Sequence, residues 1–593
     1  MIMRILLVEP NYKNKYPPMG LMKISTYHKG RGDEVTFYKG VMDSAEFYGK
    51  HYDRVYITSL FTFYYNQTVK TIKSYEKLIS PEKIFIGGIM VSLMKEKIKE
   101  DIDDRISILT GLLTDSSILG LGDSVNIDIL PLDYSILDDI VYKYPAGDNY
   151  FAYISRGCTN KCSFCAVPIL EPEFCMTNNI VQQVKTIGEE FGEKKNLLLL
   201  DNNILSFSEN ELEQIVSDIE SLGFDKKTKF YKELPLKQFM RKLHRYESDT
   251  IASKNVLEET LLYLKEKKKI KKSKIYQEKY LEIMGKIECS EDKLQVLFEN
   301  ENELIEILDF YHRPVGSRRA VDFNQGMDAR QLTDEKMRIL SRIPIEPFRL
   351  AFDSIKYKTI YSDALKIAAK YGVSSFSNYI LYNCDDKPEE LWERLKVNVD
   401  LAKELKVKIF SFPMKYAPIN RTDRKFVGKF WNKKYLKNIY AILNVTKGIV
   451  ADGESFFFKA FGRNVEEFYV ILSMPKEFVT YRNYFEENGL AAEWRDKFLQ
   501  LSIEEKNELL PEILTSISSC FTKAIRNSKE QFAKEIIDSQ VIVDMIILKS
   551  FIFYSDEIKK DEKLINAYED ILLALTEIRN EKAAVLLDEF RIH

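Results

Sequence analysis

Three cysteines crowd the run Ser155-Arg156-Gly157-Cys158-Thr159-Asn160-Lys161-Cys162-Ser163-Phe164-Cys165, spaced Cys-x-x-x-Cys-x-x-Cys. Three thiolates in so short a loop can ligate three corners of a cubane iron-sulfur cluster and leave its fourth iron open to another ligand. Structural zinc is the competing chemistry, because Cys-x-x-Cys pairs bind zinc and Cys175 offers a fourth thiolate. Zinc sites usually draw on two separated pairs, whereas here the three ligands follow one strand directly, which favours the cluster. A cluster supplies single electrons, chemistry that side chains alone do not perform.

The elements that would carry this loop are periodic on both sides of it. Residues 1–145 alternate strand and helix signals in the doubly wound manner. The expected strands are Arg4 to Val8, Glu34 to Tyr38, Arg54 to Thr58, Lys83 to Ile86 and Ile106 to Thr110. Pro17-Pro18-Met19-Gly20, Gly87-Gly88 and Gly111 punctuate the strand ends, so loops line the carboxyl edge where such sheets bind ligands. Further strands are expected at Tyr150 to Ser155, Asn196 to Leu200, Arg319 to Phe323, Phe348 to Phe352, Ser375 to Leu381 and Lys408 to Phe412. Helices are expected over Thr177 to Glu190 and Glu209 to Leu222, and Asp386 with Pro388 and Glu389 marks another helix start. Residues 225–318 interrupt the alternation with a charged, helix-patterned insertion containing the lysine-rich run 265–274, which reads as a solvated helix face, with contact to RNA or a partner as the alternative. It enters ahead of a strand, opposite the carboxyl ends where chemistry sits. Residues 420–593 carry helical apolar stripes such as Trp431, Tyr435, Ile439 and Ile442.

The cysteine loop, with Phe164 just before its third thiol, resembles that of the radical S-adenosylmethionine superfamily. The segment before it, with its opening strand, Pro17-Pro18-Met19-Gly20, Lys29-Gly30-Arg31-Gly32-Asp33 and Gly87-Gly88, resembles the cobalamin-binding-type Rossmann domain that precedes many of those enzymes. The resemblance implies an α/β chain: a doubly wound Rossmann-like domain over 1–145, a partial (β/α)6 TIM-type barrel over 146–419 with the helical insertion at 225–318, and an all-α C-terminal region over 420–593. It implies that Cys158, Cys162 and Cys165 bind a 4Fe-4S cluster whose open iron chelates S-adenosylmethionine. An external electron donor such as flavodoxin or ferredoxin then drives reductive cleavage to a 5′-deoxyadenosyl radical, which attacks a substrate the sequence does not identify.

The same resemblance puts Phe164 against the adenine. Where the superfamily has a Gly-Gly-Glu strand end, this chain has Asp201-Asn202-Asn203, and Asp201 and Asn202 offer acceptors for the cofactor's ammonium. Gln325, Asp328 and Arg330, behind the third barrel strand, form a dense polar set, with Arg330 suited to a carboxylate or ribose and a structural salt bridge as its plainer role. Cys384 is a candidate hydrogen-atom donor or ligand at the same edge, although a lone cysteine is more often a small buried hydrophobe. Cobalamin as a second cofactor would make methyl transfer the favoured outcome. The Asp-x-His-x-x-Gly signature that gives cobalt an imidazole is absent, His28 and His51 standing in other contexts; family members without it can still hold the corrin with no protein nitrogen, and a domain that keeps the fold without the cofactor is the equal alternative.

Composition narrows the alternatives. Across 593 residues, 87 Lys and Arg nearly balance 90 Asp and Glu, which makes no global demand for nucleic acid or an anionic membrane. No segment reads as a signal peptide, and Val541 to Tyr554 is broken by Asp544 and Lys549, so no membrane partner is expected. The other cysteines, Cys175, Cys289, Cys384 and Cys520, are scattered and frame no disulfide pattern, in keeping with a reducing, cytoplasmic location. The loop also resembles that of the enzymes that methylthiolate transfer RNA. Those carry a second cluster on N-terminal cysteines, and this chain has none before Cys158. The reading from another class is a non-catalytic iron-sulfur protein, structural or sensory.

Overall fold

The computed structural model describes residues 2–177, 180–246, 250–267, 273–474, 476–480, 482–487 and 489–500. The chain divides into two compact units, one of Met1–Ala351 with Asp363–Phe376 and Ala417–Phe426, the other of Phe352–Ser362, Ser377–Tyr416 and Val427–His593.

In the first unit, strands β1 (Arg4–Glu9), β2 (Glu34–Lys39), β3 (Arg54–Ser59), β4 (Ile84–Gly88) and β5 (Ser107–Leu109) form a five-stranded sheet in the order β2-β1-β3-β4-β5. Every pairing is parallel. Helices cross between the strands, so the chain is doubly wound, as the alternation predicts. Leu6, Val8, Val55, Ile57, Ile84 and Ile86 belong to one buried cluster with the helix residues Val69, Ile72 and Tyr75. Strands covered on both faces read as continuous apolar runs, and Ile5-Leu6-Leu7-Val8 is such a run.

A second parallel sheet follows, built from β6 (Tyr150–Ala152), β9 (Leu197–Leu199) and β12 (Val321–Phe323), with β9 in the middle. Its register pairs Tyr150 with Leu197 and Leu197 with Val321. Single parallel bridges, Val321 with Ile345 and Met327 with Leu350, lead from β12 towards β13 (Phe348–Ala351). The first of these strands is shorter than the expected Tyr150 to Ser155. The amides of Ile154 and Ser155 donate to the Asp201 carboxylate instead of a strand, and Ser155–Arg156 becomes β7, paired antiparallel with β8 (Cys175–Met176).

The insertion is closed at its base by the antiparallel strands β10 (Lys229–Phe230) and β11 (Ser317–Arg318). Between them helices Pro235–Arg245, Ile251–Glu266, Lys274–Cys289, Lys293–Glu299 and Glu301–Tyr311 bury a core of their own, including Leu236, Met240, Leu264, Ile283, Leu297 and Leu304. It is fastened to the segment Tyr134–Asp139 by Lys242 and Tyr246, which bond the two oxygens of Asp138 at 2.6 and 2.7 Å. Residues 268–272 of the lysine-rich run lie outside the described residues.

The second unit holds residues 377–382 of β14 (Ser375–Tyr382), its sheet neighbour β15 (Lys408–Lys415) and helix Pro388–Leu405. Asp386 does not start that helix. Glu390 accepts from the Lys387 amide at 2.7 Å, while Asp386 accepts from the fully buried Arg394, which also donates to the carbonyls of Asp353 and Leu381. A buried guanidinium needs a full set of acceptors, and this demand outweighs local capping. Helices Lys433–Val445, Glu454–Phe461 and Val465–Ser473 follow, with Trp431, Ile439 and Ile442 buried as the stripe predicts. The expected helical region beyond residue 500, including Cys520 and Val541 to Tyr554, lies outside the described residues. Among the described residues no helix is long and apolar enough to cross a membrane.

Candidate functional site

Three loops leave the carboxyl ends of β6, β9 and β12 and are tied to one another by side chains. Asp201, one residue past Leu200, is 2% exposed. Its Oδ1 accepts from the amides of Ile154 and Ser155 at 3.0 and 2.5 Å and from the Ser155 hydroxyl at 2.7 Å. Asn202 Nδ2 donates to the Gly157 carbonyl at 3.1 Å and to Glu171 at 2.9 Å. Asn203 accepts from the Asp328 amide at 3.1 Å and donates to Gln331 at 2.8 Å. Asn160, inside the cysteine run, donates to Asp328 at 2.8 Å, and Thr159 meets Ser206 at 2.9 Å. The cysteine loop is thereby fixed to the strand ends of both β9 and β12.

Gly157 lets the chain enter this loop. Its φ is +74°, and a Cβ there would stand 2.1 Å from the Glu173 carbonyl oxygen. Cys158, Cys162 and Cys165 are each half-buried and take part in no disulfide among the described residues. The Asn160 amide donates to Cys158 Sγ and the Val167 amide to Cys165 Sγ, both at 3.4 Å, and the Cys165 amide closes a turn on the Cys162 carbonyl at 3.1 Å. Amide-to-sulfur bonds stabilise thiolates and tune the potential of iron-sulfur clusters, so the donor set fits a three-thiolate cluster. Among the described residues no three Cys, His, Asp or Glu side chains are drawn together as a metal-binding group, the three thiols included. Cys175 is exposed on β8, across the hairpin from Arg156.

The remaining residues singled out in the sequence fall as follows. Phe164 is half-buried beside Cys165. Gln325 is exposed in the turn after β12. Arg330 grips Asp328, with Nε 2.8 Å from Oδ1 and Nη2 2.7 Å from Oδ2. Burial pushes the Asp328 carboxyl up, but the bonds from Arg330 and Asn160 outweigh it and hold it below the ordinary value. Cys384 belongs to the second unit; its amide donates to Asp386 at 3.1 Å and burial raises its thiol pKa. Asp201 and Asn202 are engaged with the cysteine loop's backbone. Glu171, Asp128, Asn160 and Gln331 carry no local pattern that sets them apart in the sequence.

Burial pushes the Asp201 carboxyl up to about 6, against the opposing bonds from Ser155 and Ile154. A pKa raised in the folded state gives stability that is full below the unfolded value near 3.8 and is lost as pH rises through about 6. The expected result is that the stability advantage of the wild type over Asp201→Asn shrinks across that window, by about 3 kcal/mol at most. Urea midpoints measured from pH 4 to 7 check it, and parallel curves for the two proteins would contradict it.

The carboxyl edge of the first sheet is aromatic. Tyr12 after β1 stacks on Tyr64 after β3, with centroids 4.6 Å apart, and Phe61 stacks on Phe63 at 5.0 Å. Phe61 is 47% exposed, and the Arg424 guanidinium lies 3.6 Å above Phe63. This shelf sits where the strand order reverses between β1 and β3, the usual ligand crevice of such sheets. Of the two histidines in this segment, His28 is fully buried between Asp33 and Tyr56, and His51 follows the helix Ser44–Lys50 that leads into β3.

Comparison with family models and with curated proteins finds no match to the chain. Among solved structures, it is similar to a radical S-adenosylmethionine methyltransferase, TsrM, from Kitasatospora setae with cobalamin and a [4Fe-4S] cluster bound. The identity is 13%, the TM-score 0.39, and the match covers 71% of this chain and 77% of that one. The same enzyme with tryptophan substrate and the S-adenosylmethionine analogue aza-SAM bound matches at 12% identity and TM-score 0.37, over 70% and 75%.

Proposed function

We propose that this chain is a radical S-adenosylmethionine enzyme whose Cys158, Cys162 and Cys165 hold a 4Fe-4S cluster. The observation that carries the reading is the placement of the three thiols. They lie in one loop at the carboxyl ends of adjacent parallel strands, anchored by Asp201, Asn202 and Asn160. That edge is where a (β/α) barrel does chemistry, and β6, β9 and β12 lie side by side in parallel, as strands of such a barrel would. When bound and reduced by a flavodoxin- or ferredoxin-type donor, the cluster supplies one electron to S-adenosylmethionine, breaking a carbon-sulfur bond to give methionine and an adenosyl radical.

The chain's own residues bind and orient. Phe164 offers a ring face to the adenine from beside the third cysteine. Gln325, exposed at the end of β12, and Arg330, whose fork is already charge-balanced by Asp328, supply donors for ribose hydroxyls or a carboxylate. Asp201 and Asn202 act on the cofactor indirectly, by fixing where the loop backbone runs.

The aromatic shelf favours a second, narrower reading, in which cobalamin lies on Phe61 and the reaction is methyl transfer to an unactivated carbon. One anaerobic experiment tests both. The protein is loaded with iron and sulfide and reduced, then given S-adenosylmethionine with and without cobalamin, and 5′-deoxyadenosine and S-adenosylhomocysteine are quantified. 5′-Deoxyadenosine supports the radical enzyme, and S-adenosylhomocysteine whose formation requires cobalamin supports methyl transfer. Neither product from a fully loaded cluster favours the non-catalytic iron-sulfur protein instead.

A further inference from the structure

We infer that the Rossmann-like segment sets the position and charge environment of the cysteine loop through Lys23, Asp128 and Arg156, which are positioning residues for the cluster; the inference rests on the cluster reading above. Lys23 lies on the helix Met19–Gly30 of that segment, and its Nζ is 2.8 Å from Asp128 Oδ1 and also donates to the Asp128 carbonyl. Asp128, in the chain between β5 and β6, holds Arg156 in a two-point fork, Nε to Oδ2 at 2.8 Å and Nη2 to Oδ1 at 2.5 Å. Arg156 stands two residues ahead of Cys158, and its third nitrogen reaches Glu171 at 3.2 Å, beyond Cys165. Glu171 in turn accepts from the Gly157 amide at 2.7 Å.

One guanidinium thus staples both ends of the cysteine loop, and its angle is dictated from the other sheet. Lys23 and Arg156 are 7% and 6% exposed, and the Tyr153 ring lies under both, 5.1 and 3.4 Å from their charged groups. A bidentate fork fixes orientation as well as distance, which a single ammonium contact does not. Buried ion pairs contribute little net stability compared with apolar packing, so the effect to look for is geometric and electrostatic. The set contains two cations and two carboxylates. Removing Lys23 leaves a net negative charge beside the loop, and removing the Asp128 charge leaves a net positive one.

A negative charge nearby disfavours adding an electron to the cluster, and a positive charge favours it. The test is an anaerobic reductive titration of the loaded full-length protein, read by EPR, for wild type, Lys23→Met, Lys23→Arg and Asp128→Asn at pH 7. The expected result is a lower midpoint potential for Lys23→Met, a higher one for Asp128→Asn, an altered EPR line shape for both, and near-wild-type values for Lys23→Arg. Potentials and spectra unchanged in the variants would overturn the inference while leaving the cluster reading intact, as would shifts of one sign in both, the mark of a merely loosened loop. No reducible cluster in the wild type would overturn the reading and the inference together. If thermal melting shows Asp128→Asn unfolded, the Lys23 pair carries the test, because both replacements keep the length of the side chain.

Discussion

Cys162→Ala is expected to abolish cluster loading, with bound iron and sulfide falling to background and 5′-deoxyadenosine to none. Each thiolate of a three-ligand set is indispensable, because a cubane held at two corners has lost a third of its protein bonds and exposes a second iron. Cys162 is a half-buried loop residue, so the unfolding free energy of the unloaded protein should hardly move, within about 0.5 kcal/mol. Cys175→Ala is the matched control: Cys175 is exposed on β8, and cluster loading should survive its loss. Iron and sulfide retained by Cys162→Ala, or lost in Cys175→Ala, would sink the ligand assignment.

Gly157→Ala should be nearly as damaging by a different route. Positive φ costs an L-residue roughly 1–2 kcal/mol, and the new methyl would meet the Glu173 carbonyl at 2.1 Å, where backbone must move. Overpacking of this kind adds about 1–3 kcal/mol. Any relief pushes apart the two chains that β7 and β8 hold together and takes the Gly157 amide away from Glu171. Cluster content should fall along with stability, whereas Gly120→Ala, also at positive φ but with open space around it, should cost the strain alone. Equal losses at both glycines would show that the carbonyl contact is unimportant.

Much of this was readable from the chain because it is local. The first five strands are runs such as Ile5-Leu6-Leu7-Val8, whose burial on both faces follows from composition alone. The cysteine spacing is likewise a property of eleven consecutive residues. Asp201 was harder, since an acidic residue at a strand end offers acceptors to any partner, and the choice of the Ile154 and Ser155 amides depends on how β6 and β9 align. Asp128 and Glu171 are ordinary loop carboxylates by sequence; only the fold brings Arg156 between them. Asp386 shows the same limit, because its local helix-starting pattern yields to a buried arginine eight residues on.

The hairpin of Lys229–Phe230 with Ser317–Arg318 has a consequence for how this chain tolerates change. Because the insertion leaves and returns through neighbouring strands, the sheet carrying the site meets it at two covalent anchor points whatever hangs beyond them, and Asp138 holds the present module at a third. Lengthening such an excursion costs only about 0.6 kcal/mol per doubling, and a module with its own core repays that internally. Once the bonds from Lys242 and Tyr246 to Asp138 let go, such a module can open as a cooperative block while β9 and β12 stay paired. The position is a natural graft point, where one helical module can be exchanged for another without resetting the register of the strands that hold the cysteines.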